Sequence, residues 1–272
     1  MRDPRIRPTL VIVGVNRSGT TALSHAFLNH PEVELYKDPG KYRYESTGVP
    51  DFSAYFAEPR DVGVRVRVLK YSIGQYTPEL CTIPIYPTGD RRPDFLRQLH
   101  HVFLIRDPEE IWASWQAMTQ WIASTEEPTV RLQWKRLQAD KGIPLGWGGQ
   151  GLLGLATSYL RQTYEMVKQI TPETTHVVSF GQLASEASGR DVLRTLTRHL
   201  GMDYTPSMSS WEIPFGQEHP RLHDGFNRSM DDVERRFIHR TIRASRGLGQ
   251  VPGRTVASTS VPPHVMDDYQ AS

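Results

Sequence analysis

Residues 10–23 read L-V-I-V-G-V-N-R-S-G-T-T-A-L, and this stretch determines how the rest of the chain is interpreted. A short apolar run leads into a loop that contains Gly14 and Gly19, after which the pattern becomes helical. Strand, glycine loop and helix form the layout of a phosphate cradle, because glycines let the backbone approach an anion that the helix N–H groups then bind. The stretch therefore predicts a nucleotide-binding α/β protein.

The basic residue of this loop is not where an ATP-binding P-loop has it. The spacing G-x-x-x-x-G-T-T matches the P-loop glycines, but Thr20 takes the place of the lysine and Arg17 lies inside the loop. That lysine reaches the β- and γ-phosphates in ATPases and kinases, so its replacement counts against both. Alternatively, Gly14 and Gly19 serve only a strand-to-helix turn. Two glycines, an arginine and two hydroxyls together favour phosphate binding.

Length and composition predict one domain over residues 1–272, with a tail over about 252–272 that carries no readable chemistry. The 272 residues have a formal charge of +2, too small to indicate a nucleic-acid partner. The single cysteine, Cys81, excludes an intramolecular disulfide framework. The N-terminus has no apolar signal core and no run long enough to span a membrane, so we expect a cytoplasmic protein. No pattern of histidines and cysteines indicates a metal site.

Strands and helices alternate along the rest of the chain. Alternating valines and arginines predict a strand over residues 63–72 with one polar face, and further strands are expected at 101–105 and 176–180. Residues 31–44 are expected to be irregular and residues 74–94 to form a loop. The alternation predicts a mostly parallel sheet covered on both faces, with ligands at the carboxyl ends of the strands. Residues 123–151 are a possible lid insertion.

At several separate places the chain resembles the sulfotransferases that use phosphoadenosine phosphosulfate (PAPS) and release PAP. R-S-G-T-T at 17–21 resembles the 5′-phosphosulfate loop, usually K-S/T-G-T-T. H-V-F-L-I-R-D-P at 101–108 resembles the 3′-phosphate strand and loop, with Ser114 eight residues after Arg106. V-V-S-F-G-Q-L followed by R-T-L-T-R-H-L-G-M resembles a later strand and helix, and S-R-G-L-G at 245–249 is similar to the basic loop that closes on the 3′-phosphate. The resemblance spans roughly residues 8–249.

This resemblance implies a P-loop-type three-layer α/β/α fold and two anion sites for one co-substrate. The implied binding residues are Arg17, Ser18, Gly19, Thr20, Thr21, Arg106, Ser114, Arg246 and Gly247. Two separated sites also suit the chemistry, because PAPS has a phosphosulfate at one end and a ribose phosphate at the other. Arg106 could instead pair with a nearby carboxylate, and Ser114 could face solvent.

The general base departs from the family pattern. Many cytosolic members have a histidine two residues after a lysine on the second strand, but here Lys70 is followed by Ser72. Other members have a glutamate in a Lys-Glu-Pro turn, which K-D-P at 37–39 resembles. The resemblance makes Asp38 the first candidate base and Glu45 the second, with Lys70 and Arg17 as neutralising charges. Asp38 could equally belong to an ordinary turn, and Lys70 could form only an ion pair.

The expected reaction is sulfuryl transfer from PAPS to a hydroxyl or amine of a small-molecule acceptor. Aromatic residues suggest an acceptor side, at Tyr36, Tyr42, Tyr44, Trp134 and Trp147, although all could be core residues. A P-loop kinase or NTPase and a catalytically inactive nucleotide-binding protein stay open as alternatives. The oligomeric state cannot be read from the sequence.

Overall fold

The computed structural model describes residues 7–41, 44, 47–59, 62–74, 81–124, 149–209 and 222–224, all within one compact unit that spans Met1–Arg236. The strands of this part of the chain are β1 (Thr9–Val15), β2 (Val33–Lys37), β3 (Val66–Ile73), β4 (His100–Ile105), β5 (Thr175–Ser179) and β6 (Leu222–Asp224). They form one sheet in the order β5-β4-β1-β3-β2-β6, and every pairing is parallel. The predicted α/β fold with a parallel central sheet is confirmed.

Helices cover both faces of the sheet. They are α1 (Thr20–Leu28), α2 (Arg92–Leu96), α3 (Pro108–Ser124), α4 (Gly149–Ile170), α5 (Phe180–Ala184) and α6 (Glu186–His199). Helices α1, α5 and α6 share one apolar core with the sheet, while α4 packs against β1 and β4 from the other side, where Phe103 meets Tyr164 edge to face at 5.3 Å. All seven residues of β1 are buried, which explains its nearly continuous apolar sequence.

The prediction of irregular structure over residues 31–44 is wrong for residues 33–37, which form β2. Charged residues in this strand obscured its apolar pattern. Glu34 is buried, and its carboxylate lies 3.4 Å from Nε of the equally buried Arg67 of β3. Burying either charge alone would cost desolvation free energy, but the attraction between the two opposite charges offsets that cost. A charged sequence can therefore form an interior strand here.

The strand predicted over residues 63–72 corresponds to β3. The prediction that it has one polar face is also wrong, because every residue of β3 is buried. Arg67 donates to Glu34 and to the carbonyls of Tyr55 and Ala57, which anchors the neighbouring loop to the strand. Lys70 is equally buried. The basic residues of β3 thus face interior partners, with only the preceding Arg65 exposed beside Glu32.

Element boundaries differ from the predictions at a few places. The last predicted strand ends at Ser179, because this serine and Gln182 form a capping box that starts α5 at Phe180. The predicted loop over residues 74–94 includes the start of α2. His25, in the last turn of α1, and His30, directly after its C-cap, are both buried.

Several predicted features lie outside the described residues. These are Tyr42, Glu45, most of the possible lid with Trp134 and Trp147, the basic loop with Arg246 and Gly247, and the tail at 252–272. Within the described ranges, no helix is long and apolar enough to cross a membrane.

Candidate functional site

The loop between β1 and α1 has the tight geometry that a phosphate cradle needs. Arg17 has φ of 76° and Gly19 has φ of 100°, so two residues of the loop adopt left-handed backbone conformations. Such a conformation is uncommon for a non-glycine residue and marks a position constrained by its surroundings. The Ser18 amide donates to the Val15 carbonyl at 2.9 Å, which closes the turn directly after the strand.

Both glycines of the loop are required by close contacts. A Cβ on Gly14 would lie 2.5 Å from Ser18 Oγ and 2.9 Å from the carbonyl oxygen of Leu104 in β4. A Cβ on Gly19 would lie 2.6 Å from the ring of Phe180 at the start of α5. The absence of side chains therefore lets the loop fit between two neighbouring elements, whether or not a ligand binds.

Polar groups of the loop remain available for an anion. Gly19 caps α1 and has no side chain to accept from the first-turn N–H groups, which lack acceptors within the helix. The Ser18 hydroxyl and the side-chain nitrogen Nδ2 of Asn16 are both buried and have no hydrogen-bond partner within the described residues. Buried polar groups are normally paired, so unpaired ones fit a site that a ligand completes. Asn16 was not singled out from the sequence.

The two predicted basic loops meet at the carboxyl ends of β1 and β4. Arg106 Nη1 donates to the carbonyl oxygen of Arg17 at 3.0 Å. Arg17 Nε in turn donates to Ser114 Oγ of α3 at 3.2 Å. Residues 106 and 114 are thus connected to the glycine loop directly. We call residues 16–21, Arg106 and Ser114 the donor cluster.

Arg106 has two further neighbours. Its Nε lies 2.9 Å from a carboxylate oxygen of Glu110, one turn into α3, and its guanidinium carbon lies 4.1 Å from the centre of the Phe180 ring. The carboxylate pairing considered from the sequence for Arg106 is therefore present, whereas Ser114 is mostly buried and contacts Arg17. Phe180 touches both the arginine and Gly19, so it fixes the distance between the two loops.

The first candidate base lies in a second cluster, formed by Asp38, Lys70 and Ser72, which we call the Asp38 cluster. Asp38 follows β2 with φ of 43°. One of its carboxylate oxygens accepts from Lys70 Nζ at 2.9 Å, and the other accepts from the Ser72 amide at 2.6 Å. The hydroxyl of Ser72 lies 3.2 Å from that of Thr20. This contact joins the Asp38 cluster to the donor cluster.

The charge state of Asp38 follows from these contacts. Burial alone would raise the pKa of this carboxyl group, but the charges of Lys70 and Lys41 and the hydrogen bond from Ser72 together hold the pKa below its usual value. Asp38 is therefore ionised at neutral pH. An ionised carboxylate can accept a proton, although one with a lowered pKa is a weaker base.

A small pocket opens beside Asp38. It is lined by Asp38, Pro39, Lys41, Tyr71, Ser72, Ile73, Ile83 and Ile85. Tyr71 and the isoleucines were not predicted to line a site. Tyr36, predicted on an acceptor side, is buried in β2 and lies beside Glu34 and Arg67 instead.

No group of three or more histidine, cysteine, aspartate or glutamate side chains that could hold a metal ion is found among the described residues. Cys81 is buried.

Comparisons with known proteins add little. No protein-family model and no curated protein sequence matches the chain. Among solved structures, the chain is similar to mouse sulfotransferase SULT7A1 complexed with PAP, at 12% identity over 91% of each chain with a TM-score of 0.43. At this identity and TM-score, the likeness assigns neither a family nor an activity to the chain.

Proposed function

We propose that the protein is a sulfotransferase that moves the sulfuryl group of PAPS to a hydroxyl or amine of a small-molecule acceptor and releases PAP. The observation that carries the proposal is the direct contact between the two basic loops, through Arg106 and the Arg17 carbonyl. A nucleotide with phosphate groups at both the 5′ and 3′ positions needs two neighbouring anion sites. A nucleoside triphosphate kinase needs one cradle with a lysine, and Thr20 stands in that place.

In this proposal the donor cluster binds the nucleotide. Arg17, Thr20, Thr21 and the first-turn amides of α1 bind the phosphosulfate, with Ser18 and Gly19 completing the loop. The Ser18 hydroxyl fits this role because it has no partner among the described residues, and the first-turn amides fit it because a helix provides no acceptors for them and Gly19 has no side chain to do so. Arg106 and Ser114 bind the 3′-phosphate, which an arginine can contact through two N–H groups at once.

The transfer step is an in-line displacement that depends on positioning and charge stabilisation. The acceptor oxygen forms a bond to sulfur while the bond from sulfur to the bridging phosphate oxygen breaks, and PAP leaves with the negative charge. Arg17 stabilises that charge as it develops. Asp38 receives the proton of the acceptor in the adjoining pocket, and Lys70 lies beside the reacting groups. Glu45 is the second candidate base.

A nucleotide-binding protein without transferase activity is the second candidate function. It is favoured by one observation: both carboxylate oxygens of Asp38 already accept hydrogen bonds, from Lys70 and from Ser72. A base that is paired in this way must lose one of these hydrogen bonds before it can contact an acceptor. Binding of PAP without turnover would identify this candidate.

The proposal is tested by incubating the protein with PAPS and a metabolite extract, followed by detection of PAP and of sulfated products by mass. We expect Arg17→Ala to lower the rate of transfer by about 10²–10³-fold, the effect of removing a transition-state hydrogen-bond donor. Arg97→Ala is the matched control, because the exposed Arg97 side chain has only the exposed Asp94 as a partner in the part of the chain that the structure describes, and both residues come before β4, whereas Arg106 comes after it. An unchanged rate in Arg17→Ala would contradict the proposed role of the loop.

A further inference from the structure

Arg106 is held by partners of two different kinds. Its Nη1 donates to the backbone carbonyl of Arg17, and its guanidinium lies over the Phe180 ring, so these two contacts belong to the fixed frame of the loops. Its Nε instead pairs with Glu110, whose side chain is 58% exposed, while that of Arg106 is only 17% exposed. The carboxylate can therefore leave for solvent at little cost, whereas the arginine cannot.

The geometry of a guanidinium makes this pairing relevant to phosphate binding. A phosphate that binds an arginine through two N–H groups uses either the edge of Nε and Nη2 or the edge of Nη1 and Nη2. In this structure Glu110 occupies Nε and so blocks the first edge, whereas the Arg17 carbonyl accepts from one of the two N–H groups of Nη1. A phosphate that binds the edge of Nε and Nη2 must displace the exposed carboxylate.

We propose that Glu110 is a specificity-determining residue that competes with the 3′-phosphate of the nucleotide for Arg106. This inference rests on the proposed function, since it takes Arg106 as the 3′-phosphate site. Glu110 keeps the partly buried guanidinium paired and oriented when no nucleotide is bound. When PAP is bound, the displaced carboxylate repels the 3′-phosphate at close range. Glu110 thereby weakens the binding of nucleotides that carry this phosphate and favours the release of PAP.

A purely structural role for Glu110 makes a different prediction. Carboxylates in the first turn of a helix stabilise it, and α3 has two of them, Glu109 and Glu110. The backbone amides of both residues also donate to Asp107 Oδ1. Within the described residues, however, only Glu110 forms an ion pair with Arg106. Glu109→Gln is therefore a matched control that removes the same charge from the same helix turn without touching Arg106.

The test is calorimetric titration of the full chain with PAP and with adenosine 5′-monophosphate, which lacks the 3′-phosphate. We expect Glu110→Gln to bind PAP about two- to fivefold more tightly than wild type, the range for loss of an exposed ion pair. Glu110→Ala, which removes the competing oxygen altogether, should show at least the same gain. Affinity for adenosine 5′-monophosphate should not change in either variant, and Glu109→Gln should match wild type with both nucleotides. Thermal melts of all variants establish that they are folded.

Unchanged or weaker PAP binding by folded Glu110 variants would overturn the inference while leaving the proposed function standing. An equal gain for both nucleotides, or the same gain in Glu109→Gln, would also overturn it, since the effect would then not act through the 3′-phosphate. Failure of the wild-type protein to bind PAP would refute the proposed function and this inference together.

Discussion

The donor cluster and the Asp38 cluster lie at the same edge of the sheet but differ in how completely their polar groups are paired. In the donor cluster, the Ser18 hydroxyl and the side-chain nitrogen Nδ2 of Asn16 are buried without a partner among the described residues. In the Asp38 cluster, each carboxylate oxygen accepts a hydrogen bond, from Lys70 or from the Ser72 amide. Among the described residues, the first cluster thus keeps buried polar groups unpaired, whereas the carboxylate of the second is fully paired. Substitutions in the donor cluster should therefore impair binding first, and substitutions in the Asp38 cluster should impair stability first.

The largest effect is expected for Asp38→Asn. This substitution leaves the buried Lys70 ammonium without its counter-ion, and removing one partner of a buried ion pair typically costs about 3–5 kcal/mol. Urea unfolding of wild type and variant measures the loss. The double variant Asp38→Asn with Lys70→Met should regain part of the stability, because it also removes the buried ammonium that has lost the Asp38 carboxylate. If Asp38→Asn were as stable as wild type, the contrast between the two clusters would fail.

The same pair predicts how stability depends on pH. The pKa of Asp38 is lowered in the folded protein, so its contribution to stability is fully present above the unfolded pKa of about 3.9 and is lost as pH falls through the folded pKa. The difference in unfolding free energy between wild type and Asp38→Asn should therefore shrink as pH falls below about 4. His101, whose pKa burial lowers to about 4, titrates in both proteins and cancels in this difference. A difference that grows with acidity would contradict the assigned sign.

A smaller loss of stability is expected for Gly19→Ala in the donor cluster. The left-handed backbone at this position costs a residue with a side chain about 1–2 kcal/mol. In addition, the new Cβ meets Phe180 at 2.6 Å, so the ring beneath Arg106 must move. Gly201→Ala is the matched control, because Gly201 has φ of 68° and open space around its Cβ position. We expect both variants to lose stability and only Gly19→Ala to lose PAP affinity, as measured by thermal melts and calorimetry.

The smallest change in stability is expected for Asn16→Ala. Its buried amide has no partner among the described residues, so its removal should change the unfolding free energy by less than about 0.5 kcal/mol, while PAP affinity should fall. Asn29→Ala is the contrasting variant, because Asn29 caps the opposite end of α1 from the donor cluster and donates to the Ser207 carbonyl at 3.3 Å. It should lose about 0.5–1.5 kcal/mol, the contribution of one hydrogen bond, and keep its PAP affinity. A marked loss of stability in Asn16→Ala would show that its amide is paired.

The parts of the fold that follow simple patterns could be predicted from the sequence. A local pattern, which needs no knowledge of distant contacts, predicts the apolar run of β1, its glycine loop and α1. The same holds for β4 and the start of α3. Strand β2 could not be recognised, because its Glu34 looks like a surface residue until Arg67 is placed beside it. Because Arg67 lies about thirty positions after Glu34, their pairing produces no periodic pattern in the sequence.

Prediction of the candidate site from the sequence has the same limit. The family resemblance suggested that Arg17, Arg106 and Ser114 belong together, but the hydrogen bonds among them depend on how α3 packs against the loop after β1, where Trp115 donates to the Asn16 carbonyl at 3.0 Å. Asp38 was a candidate from its turn, whereas its pairing with Lys70 depends on the register between β2 and β3. Sequence spacing indicates which residues to consider, and packing determines their partners.

The central claim is that the donor cluster forms one nucleotide site with two anion contacts. Calorimetric titration of the wild-type protein and of Arg106→Ala with PAP, adenosine 5′-monophosphate and ATP with magnesium tests it most directly. We expect wild type to prefer PAP over both other nucleotides, and Arg106→Ala to bind PAP about ten- to a hundredfold more weakly, as for a lost hydrogen bond to a charged group, with little change for adenosine 5′-monophosphate. Selective binding of ATP with magnesium, or equal binding of PAP by both proteins, would contradict the account.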